Sequence, residues 1–247
     1  MISKDENTNQ TLLIEDLKEK TYHFNKKYII LFDGDRTLCE PDTSRILNEL
    51  ANIDLKEIKD GFIKYGYTYP GFRHMADIYS RLKLSDYDYL SKKTAESVEL
   101  YPGVLKFIKY IQGFADIIII TSGVKKIWEY ILINNDLKEI LLVGGTHHEI
   151  DDYIVGRNEK GLISNFFVKD GRIVIAFGDS DVDSLMLQNA DHAVIVVNHR
   201  NNEDLIPFIK NHASLYQISF KNFYHNNIKI TDFVEFSNEI YNLIQRG

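Results

Sequence analysis

Residues 28–38 have the sequence YIILFDGDRTL, in which an apolar run stops abruptly at two acids. The run 28–32 is rich in β-forming residues, which predicts a strand buried on both faces of a parallel sheet. Asp33 and Asp35 follow directly, and Gly34 lets the backbone turn tightly between them. Since ligands bind beyond the carboxyl ends of strands in such sheets, we expect the chemistry of the protein at this point.

The chain beyond residue 100 alternates apolar strand runs with amphipathic helices. The predicted strands are 117–120, 140–143, 173–177, 193–197 and 215–219, and the predicted helices lie near 103–112, 124–134, 159–167 and 181–188. A leading helix is expected at 8–22 and a closing helix near 231–244. This alternation predicts an α/β fold with a Rossmann-like parallel sheet covered by helices on both faces.

Residues 43–100 contain no comparable strand run. Gly61, Gly66, Pro70 and Gly71 punctuate a stretch that is otherwise typical of several short helices. We therefore predict an inserted all-helical cap at 41–100, and an α/β core made of 1–40 and 101–247.

Four short segments could carry chemistry, and each also has a purely structural interpretation. Asp33 and Asp35 could act as nucleophile and acid/base, or could form an Asx-type turn. Thr121, Ser122 and Gly123 follow a predicted strand and could bind phosphate, or could cap a helix. Lys160 could compensate negative charge, or could be a surface lysine. Asp179 and Asp183 lie four residues apart, and they could bind a metal or could be favourable charges at the start of a helix.

Taken together, the four acids favour a metal site. All would lie at one edge of the sheet, where two carboxylates ~4 Å apart cost on the order of 4 kcal/mol at an effective dielectric of 20. One lysine is insufficient compensation, whereas a hard divalent cation with oxygen ligands offsets the repulsion directly, and Mg²⁺ is commonly held in this way. His147 and His148 are adjacent, which is not the spacing of zinc ligands.

Composition excludes some other classes of protein. A formal net charge of −7 in 247 residues argues against a nucleic-acid surface, and the single cysteine, Cys39, suits a reducing compartment. The polar start is not typical of a secretory signal, and no apolar run is long enough to predict a membrane span. We therefore expect a soluble, cytoplasmic protein, and the sequence does not indicate its oligomeric state.

The motifs Asp33-x-Asp35-x-Thr37, the strand ending at Thr121, Lys160-Gly161 and Gly178-Asp179-Ser180-x-x-Asp183 occur in order along the chain. In this the chain resembles the haloacid dehalogenase (HAD) superfamily, and within it the phosphoserine phosphatase-like group with a helical cap. Arg36 and Val182 depart from that group, in which a small residue and Asn are usual at these positions.

The resemblance implies a role for each motif residue. Asp33 would be the nucleophile and a metal ligand. Asp35 would be the acid/base and would give its backbone carbonyl to the metal. Thr121, Ser122 and Gly123 would hold the phosphoryl group, and Lys160 would neutralise charge. Asp179 would bind Mg²⁺, and Asp183 would belong to the same metal site. In the cap, Arg73 and Arg81 lie where a substrate-binding arginine is expected.

The function predicted from these residues is Mg²⁺-dependent hydrolysis of a phosphomonoester of a small metabolite. Two alternatives stay open: a phosphotransferase or mutase that passes the phosphoryl group to a hydroxyl, and a non-catalytic binding protein with the same fold.

Overall fold

The computed structural model describes residues 5–145, 148, 152–197, 202–220, 224–226, 228–233, 235, 236 and 238. Within these residues the helices are α1 (Glu6–Thr21), α2 (Thr43–Leu50), α3 (Leu55–Tyr65), α4 (Tyr69–Tyr79), α5 (Leu84–Glu96), α6 (Val104–Ile111), α7 (Lys125–Asn134), α8 (Arg157–Lys169), α9 (Ser184–Asn189) and α10 (Asn202–Ile209). The strands are β1 (Tyr28–Asp33), β2 (Ala115–Thr121), β3 (Leu141–Gly144), β4 (Ile173–Gly178), β5 (His192–Val197), β6 (Leu215–Ser219) and β7 (Lys229–Thr231).

The seven strands form one parallel sheet in the order β3-β2-β1-β4-β5-β6-β7. From β1 the chain proceeds outward through β2 to β3, and it then returns to the other side of β1, where it forms β4. The direction of winding therefore reverses between β1 and β4. In open α/β sheets this switch point opens a crevice beyond the strand ends.

Strand β1 is buried on both faces, as its sequence predicts. Ile30 and Phe32 point into one hydrophobic cluster, which includes residues of α6 and α7. Ile29 and Leu31 point into a second cluster, which includes residues of α1, α8, α9 and α10. Alternate residues of a strand face opposite ways, so helices cover both faces of the sheet. The predicted fold class, a Rossmann-like α/β core, is confirmed.

Residues 41–100 are all described, and they hold the four helices α2 to α5 and no strand. Asp42 and Asp54 cap α2 and α3 with their side chains, and α3 ends at Gly66 with a positive φ of 67°. The two connections to the core run side by side, because Cys39 bridges to Leu100. The division into core and cap at 41–100 stays a prediction, although the helical content agrees with it.

The region after β5 differs most from the sequence-based expectation. Helix α10 and strand β7 were not predicted, because α10 carries Pro207 in its interior and β7 has only three residues. The predicted closing helix near 231–244 falls largely outside the described residues. His147 also lies outside them, whereas His148 is described and its Nε2 is 2.8 Å from the carbonyl oxygen of Leu82. None of the described helices is long and apolar enough to cross a membrane.

Candidate active site

Asp33 is the last residue of β1, and its buried carboxylate has two donors. Thr37 Oγ1 donates a hydrogen bond of 3.0 Å to Asp33 Oδ2, and Lys160 Nζ donates to Asp33 Oδ1. The turn after β1 closes when the amide of Leu38 donates to the carbonyl of Gly34, 2.8 Å away. A Cβ at Gly34 would lie 2.5 Å from the ring of Trp128, so only glycine fits there. Burial, together with the charge of Asp183, raises the pKa of Asp33 to about 6.

Asp35 is held by side chains from two helices. Trp128 Nε1 of α7 donates to Asp35 Oδ1 at 2.9 Å, and the Thr43 hydroxyl at the start of α2 donates to the same oxygen at 2.9 Å. Burial, and then the negative charges of Asp42 and Asp33, raise the pKa of Asp35 to about 7. A carboxyl group with this pKa can both donate and accept a proton near neutral pH.

Lys160 lies in the first turn of α8 and is buried against two carboxylates. Its Nζ contacts Asp33 Oδ1 and is 2.7 Å from Asp183 Oδ1. Burial alone would lower the pKa of Lys160, yet the charges of Asp183 and Asp33 raise it above its ordinary value. A Cβ at Gly161 would lie 2.7 Å from Leu185 Cβ, so the glycine lets α8 approach α9 closely enough to bring Lys160 inward. Lys160 is therefore a charged, internal group rather than a surface lysine.

Asp183 is fixed by the backbone that follows β4. Its Oδ2 accepts hydrogen bonds of 3.1 Å from the amides of Asp179 and Ser180. Gly178 is required at the strand end, because a Cβ there would lie 2.5 Å from Asp183 Cβ. Asp183 Oδ1 accepts from Lys160, so both oxygens of Asp183 are bonded within the protein.

Asp179 is buried beside a cation that belongs to the first motif. Arg36 Nε is 3.4 Å from Asp179 Oδ2, and Arg36 has a positive φ of 63°. Burial raises the pKa of Asp179 well above its ordinary value, although the charge of Arg36 opposes this shift. The arginine at this position thus faces a predicted metal ligand.

The donor set fits a hard divalent cation. Asp33, Asp179 and Asp183 each offer a carboxylate oxygen within 4.8 Å of the others. When Asp35 and Asp42 are included, five carboxylates stand against the cations Lys160 and Arg36, which leaves a formal charge of −3. Buried oxygen ligands with excess negative charge are the environment in which Mg²⁺ is bound.

Thr121 and Ser122 lie at the end of β2, beside Asp33. Thr121 Oγ1 accepts a hydrogen bond of 3.0 Å from the amide of Gly123. Ser122 Oγ is buried and has no hydrogen-bond partner within the described part of the chain. A Cβ at Gly123 would lie 2.9 Å from Ser44 Oγ and 3.3 Å from Asp35 Oδ2, so a larger residue would crowd this corner.

These segments line one cavity of about 120 Å³ at the carboxyl edge of the sheet. Its floor is polar and its roof consists of cap residues. The floor includes Asp33, Asp35, Thr121, Ser122, Gly123, Lys160, Asp179 and Ser180. The roof consists of Phe62, Tyr67, Phe72 and Met75, and Arg36, Asp42, Ser44 and Val182 complete the lining.

The two arginines predicted to bind substrate do not line this cavity. Arg73 pairs with Asp77 on its own helix at 3.2 Å, and Arg81 pairs with Glu57 at 2.8 Å. The pair of Arg73 and Asp77 has i,i+4 spacing, so the sequence already contained a local partner. Their role in substrate binding stays a prediction that the lining of the cavity does not support.

Several residues of the site were not predicted from the sequence. Thr43 and Trp128, which hold Asp35, belong to no motif, and Phe62 and Met75 are ordinary apolar residues on cap helices. Arg36 was noticed only as a departure from the family pattern. Its position inside the first motif was the one signal that could have assigned it to the site.

The fold and the acidic site define a class: a doubly wound α/β protein with carboxylates at the switch point of the sheet. No family model and no curated protein matches the chain. Among solved structures, the chain is similar to a phosphoserine phosphatase described as a phospho-aspartyl intermediate analogue, at 17% identity and a TM-score of 0.58, over 87% of this chain and 99% of that one.

Two further structures give the same result. An apo phosphoserine phosphatase has 17% identity and a TM-score of 0.54, over 76% of this chain and 91% of that one. A HAD family hydrolase from Salmonella enterica serovar Typhi has 14% identity and a TM-score of 0.55, over 85% of this chain and 76% of that one. The chain therefore has the fold of phosphoserine phosphatases and HAD family hydrolases.

Proposed function

We propose that the protein is a Mg²⁺-dependent phosphohydrolase that cleaves a phosphomonoester of a small metabolite through an aspartyl-phosphate intermediate on Asp33. One observation carries this proposal: four segments that are distant in the sequence line a single cavity, in which Lys160 contacts both Asp33 and Asp183. The similarity to a structure named for a phospho-aspartyl intermediate supports the same chemistry.

In the first step, Asp33 attacks phosphorus, and the bond between phosphorus and the leaving oxygen breaks. Asp35 gives its proton to that oxygen, which leaves as a neutral alcohol. A pKa of about 7 provides a substantial protonated fraction of Asp35 at neutral pH. Thr121 and Ser122 would donate hydrogen bonds to the phosphoryl oxygens, and Lys160 would neutralise part of their charge.

In the second step, Asp35 takes a proton from water, and the oxygen of that water attacks phosphorus. The acyl phosphate bond to Asp33 breaks, and inorganic phosphate leaves. Thr37 and Lys160, which already bind the two oxygens of Asp33, would orient the carboxylate in both steps. The aromatic roof would keep bulk water from the intermediate.

The cation is assigned to Asp33, Asp179 and the backbone carbonyl of Asp35, with Asp183 in support. When bound, Mg²⁺ would offset the charge of the carboxylates and of the phosphoryl oxygens. The excess of carboxylates over cations in the cavity is the reason for expecting a metal there.

The proposal is tested by phosphate release from phenyl phosphate, measured with Mg²⁺ and with a chelator. We expect one phosphate for each phenol, and no turnover in the chelator. If phenol exceeds phosphate when glycerol is present, the phosphoryl group is transferred to a hydroxyl, as in the phosphotransferase alternative.

A second measurement separates an inactive enzyme from a binding protein. Ligands that bind only the native state raise the unfolding temperature. We expect Mg²⁺ together with beryllium fluoride, a phosphoryl mimic, to raise it more than either alone. The absence of turnover and of any such shift would favour the non-catalytic alternative.

A further inference from the structure

We infer that the substrate is a phosphomonoester whose alcohol part is apolar and carries no charge, and that the cavity discriminates against an alcohol part bearing a carboxylate. This inference rests on the proposed function and adds the substrate class. It is carried by a contrast between the roof of the cavity and the positions of the cap cations.

The roof, defined above as Phe62, Tyr67, Phe72 and Met75, is a packed cluster. The ring centroid of Phe62 is 5.0 Å from that of Tyr67 and 5.1 Å from that of Phe72. Phe72 and Met75 are buried, and Tyr67 is 46% exposed. The alcohol part of a substrate bound at Asp33 would face this surface, which offers it van der Waals contact and a polarisable face.

Within the described chain, the cations that line the cavity are Lys160 and Arg36, and carboxylates engage both. Lys160 lies between Asp33 and Asp183, and Arg36 lies against Asp179. The charge of Asp42 also acts on Arg36, so carboxylates of the protein compensate both cations.

Three basic side chains of the cap have partners that do not line the cavity. Arg73 pairs with Asp77, Arg81 pairs with Glu57, and His74 Nε2 lies 3.1 Å from the carbonyl oxygen of Glu57. A carboxylate on the alcohol would thus meet the rings of the roof, and none of the four roof residues is a cation.

Asp42, a carboxylate at the lining of the cavity, would repel such a substrate. Asp42 also caps α2, because its side chain accepts a hydrogen bond of 3.2 Å from the amide of Arg45. Its charge also contributes to the raised pKa of Asp35. Placing a second carboxylate here without a partner costs desolvation and repulsion, and binding sites reject ligands by such uncompensated charge.

The cavity beneath the apolar roof is small. Its volume of about 120 Å³ leaves room for a phosphoryl group and a short or flat alcohol part. An aryl or short alkyl phosphate meets both conditions.

The test compares kcat/KM for phenyl phosphate and 3-carboxyphenyl phosphate, which differ by one carboxylate, and for phosphoserine and phosphoethanolamine. We expect phenyl phosphate to exceed its carboxylated partner by at least about tenfold, because a site without a partner for a charge rejects it strongly. We expect phosphoserine to be the poorest of the four.

A charge-introducing variant shows whether the roof causes this selectivity. Tyr67→Arg adds a cation at a partly exposed position that lines the cavity, so the ratio of phenyl to carboxyphenyl phosphate should fall by at least about fivefold. Tyr65→Arg is the matched control, since Tyr65 is 39% exposed and does not line the cavity. It should leave the ratio unchanged, as should Arg81→Gln.

The outcomes are distinguishable. Equal kcat/KM for phenyl and carboxyphenyl phosphate overturns the inference but leaves the proposed function intact. A clear preference for phosphoethanolamine also overturns it, and would mean that the carboxylate of Asp42 selects a substrate with a positive charge. No turnover of any of the four, without a thermal shift from Mg²⁺ and beryllium fluoride, overturns both proposals.

Discussion

The floor and the roof of the cavity handle charge in opposite ways. In the floor, buried carboxylates are held against Lys160 and Arg36 inside the molecule. In the cap, the arginine pairs do not line the cavity, and the roof of Phe62, Tyr67, Phe72 and Met75 carries no charge. Under the proposed function, the floor would carry out phosphoryl chemistry and the roof would select the rest of the substrate.

The largest expected effect comes from the floor. Asp33→Asn removes the proposed nucleophile and should lower kcat for phenyl phosphate by on the order of 10⁴-fold or more. The variant should fold normally, because the amide is uncharged and the same size. Steady-state phosphate release with Mg²⁺ and circular dichroism measure the two properties.

Asp42→Asn is the control for that variant. Asp42 lines the same cavity but belongs to no metal or nucleophile position, and Asn also caps helices well. We expect kcat to stay within about tenfold of the unmodified protein. Similar losses in the two variants would mean that Asp33 has no special role.

The second effect concerns stability in the floor. Lys160→Met leaves Asp33 and Asp183 buried without their shared cation, which should lower the free energy of unfolding by about 3 kcal/mol in the absence of metal. Saturating Mg²⁺ should restore part of the loss, because it supplies positive charge to the same oxygens. Urea unfolding with and without Mg²⁺ measures both.

The exposed pair of Lys93 and Glu96 provides the comparison. Its atoms are 2.8 Å apart, yet both side chains are more than 40% exposed. Lys93→Met should leave the unfolding free energy essentially unchanged, because exposed ion pairs contribute little to stability. If Lys160→Met were equally mild, the internal charge network would not stabilise the floor.

The third effect distinguishes Arg36 from the other cations. Arg36 neutralises Asp179, so Arg36→Met should raise the affinity for Mg²⁺, by about tenfold. Isothermal titration of the protein with Mg²⁺ alone measures this. Arg157→Met removes a pair with Asp181 that lies outside the lining of the cavity, and should leave the affinity unchanged. Weaker binding in Arg36→Met would show that the arginine supports the metal site instead.

The smallest effect is on pH dependence. The pKa of Asp33 in the folded protein is raised to about 6 and that of Asp35 to about 7, both above the ordinary value of 3.8. The folded state therefore binds more protons than the unfolded state between pH 4 and pH 7, and stability must fall as pH rises through this window.

Urea unfolding of the metal-free protein between about pH 4 and about pH 8 measures this trend. Asp35→Asn should flatten the curve, and added Mg²⁺ should stabilise most at the upper end, where protons no longer compete for the carboxylates. Stability that rises with pH across the window would contradict the raised pKa values.

The same contrast explains what the sequence could predict. Strand β1 and the motif acids were recognisable because long apolar runs and acids at strand ends are local patterns. The contacts of Trp128 and Thr43 with Asp35 could not be recognised in the sequence, because they depend on how α7 and α2 pack against the turn at Gly34. In the cap, the aromatic residues were visible, but which rings face the cavity follows only from the packing of α3 and α4. The pairing of Arg73 with Asp77 shows that a cation in the right region need not lie at the site.

Identifying the residue that carries the phosphoryl group is the most direct test of Asp33 as the nucleophile. Asp35→Asn should still transfer phosphate from an aryl ester with a good leaving group, but should hydrolyse the intermediate slowly, because no group deprotonates water. Acid quenching followed by peptide mass spectrometry should then place one phosphoryl group on Asp33. A phosphoryl group on another residue, or continued turnover without any covalent adduct, would contradict the assignment of Asp33 as nucleophile.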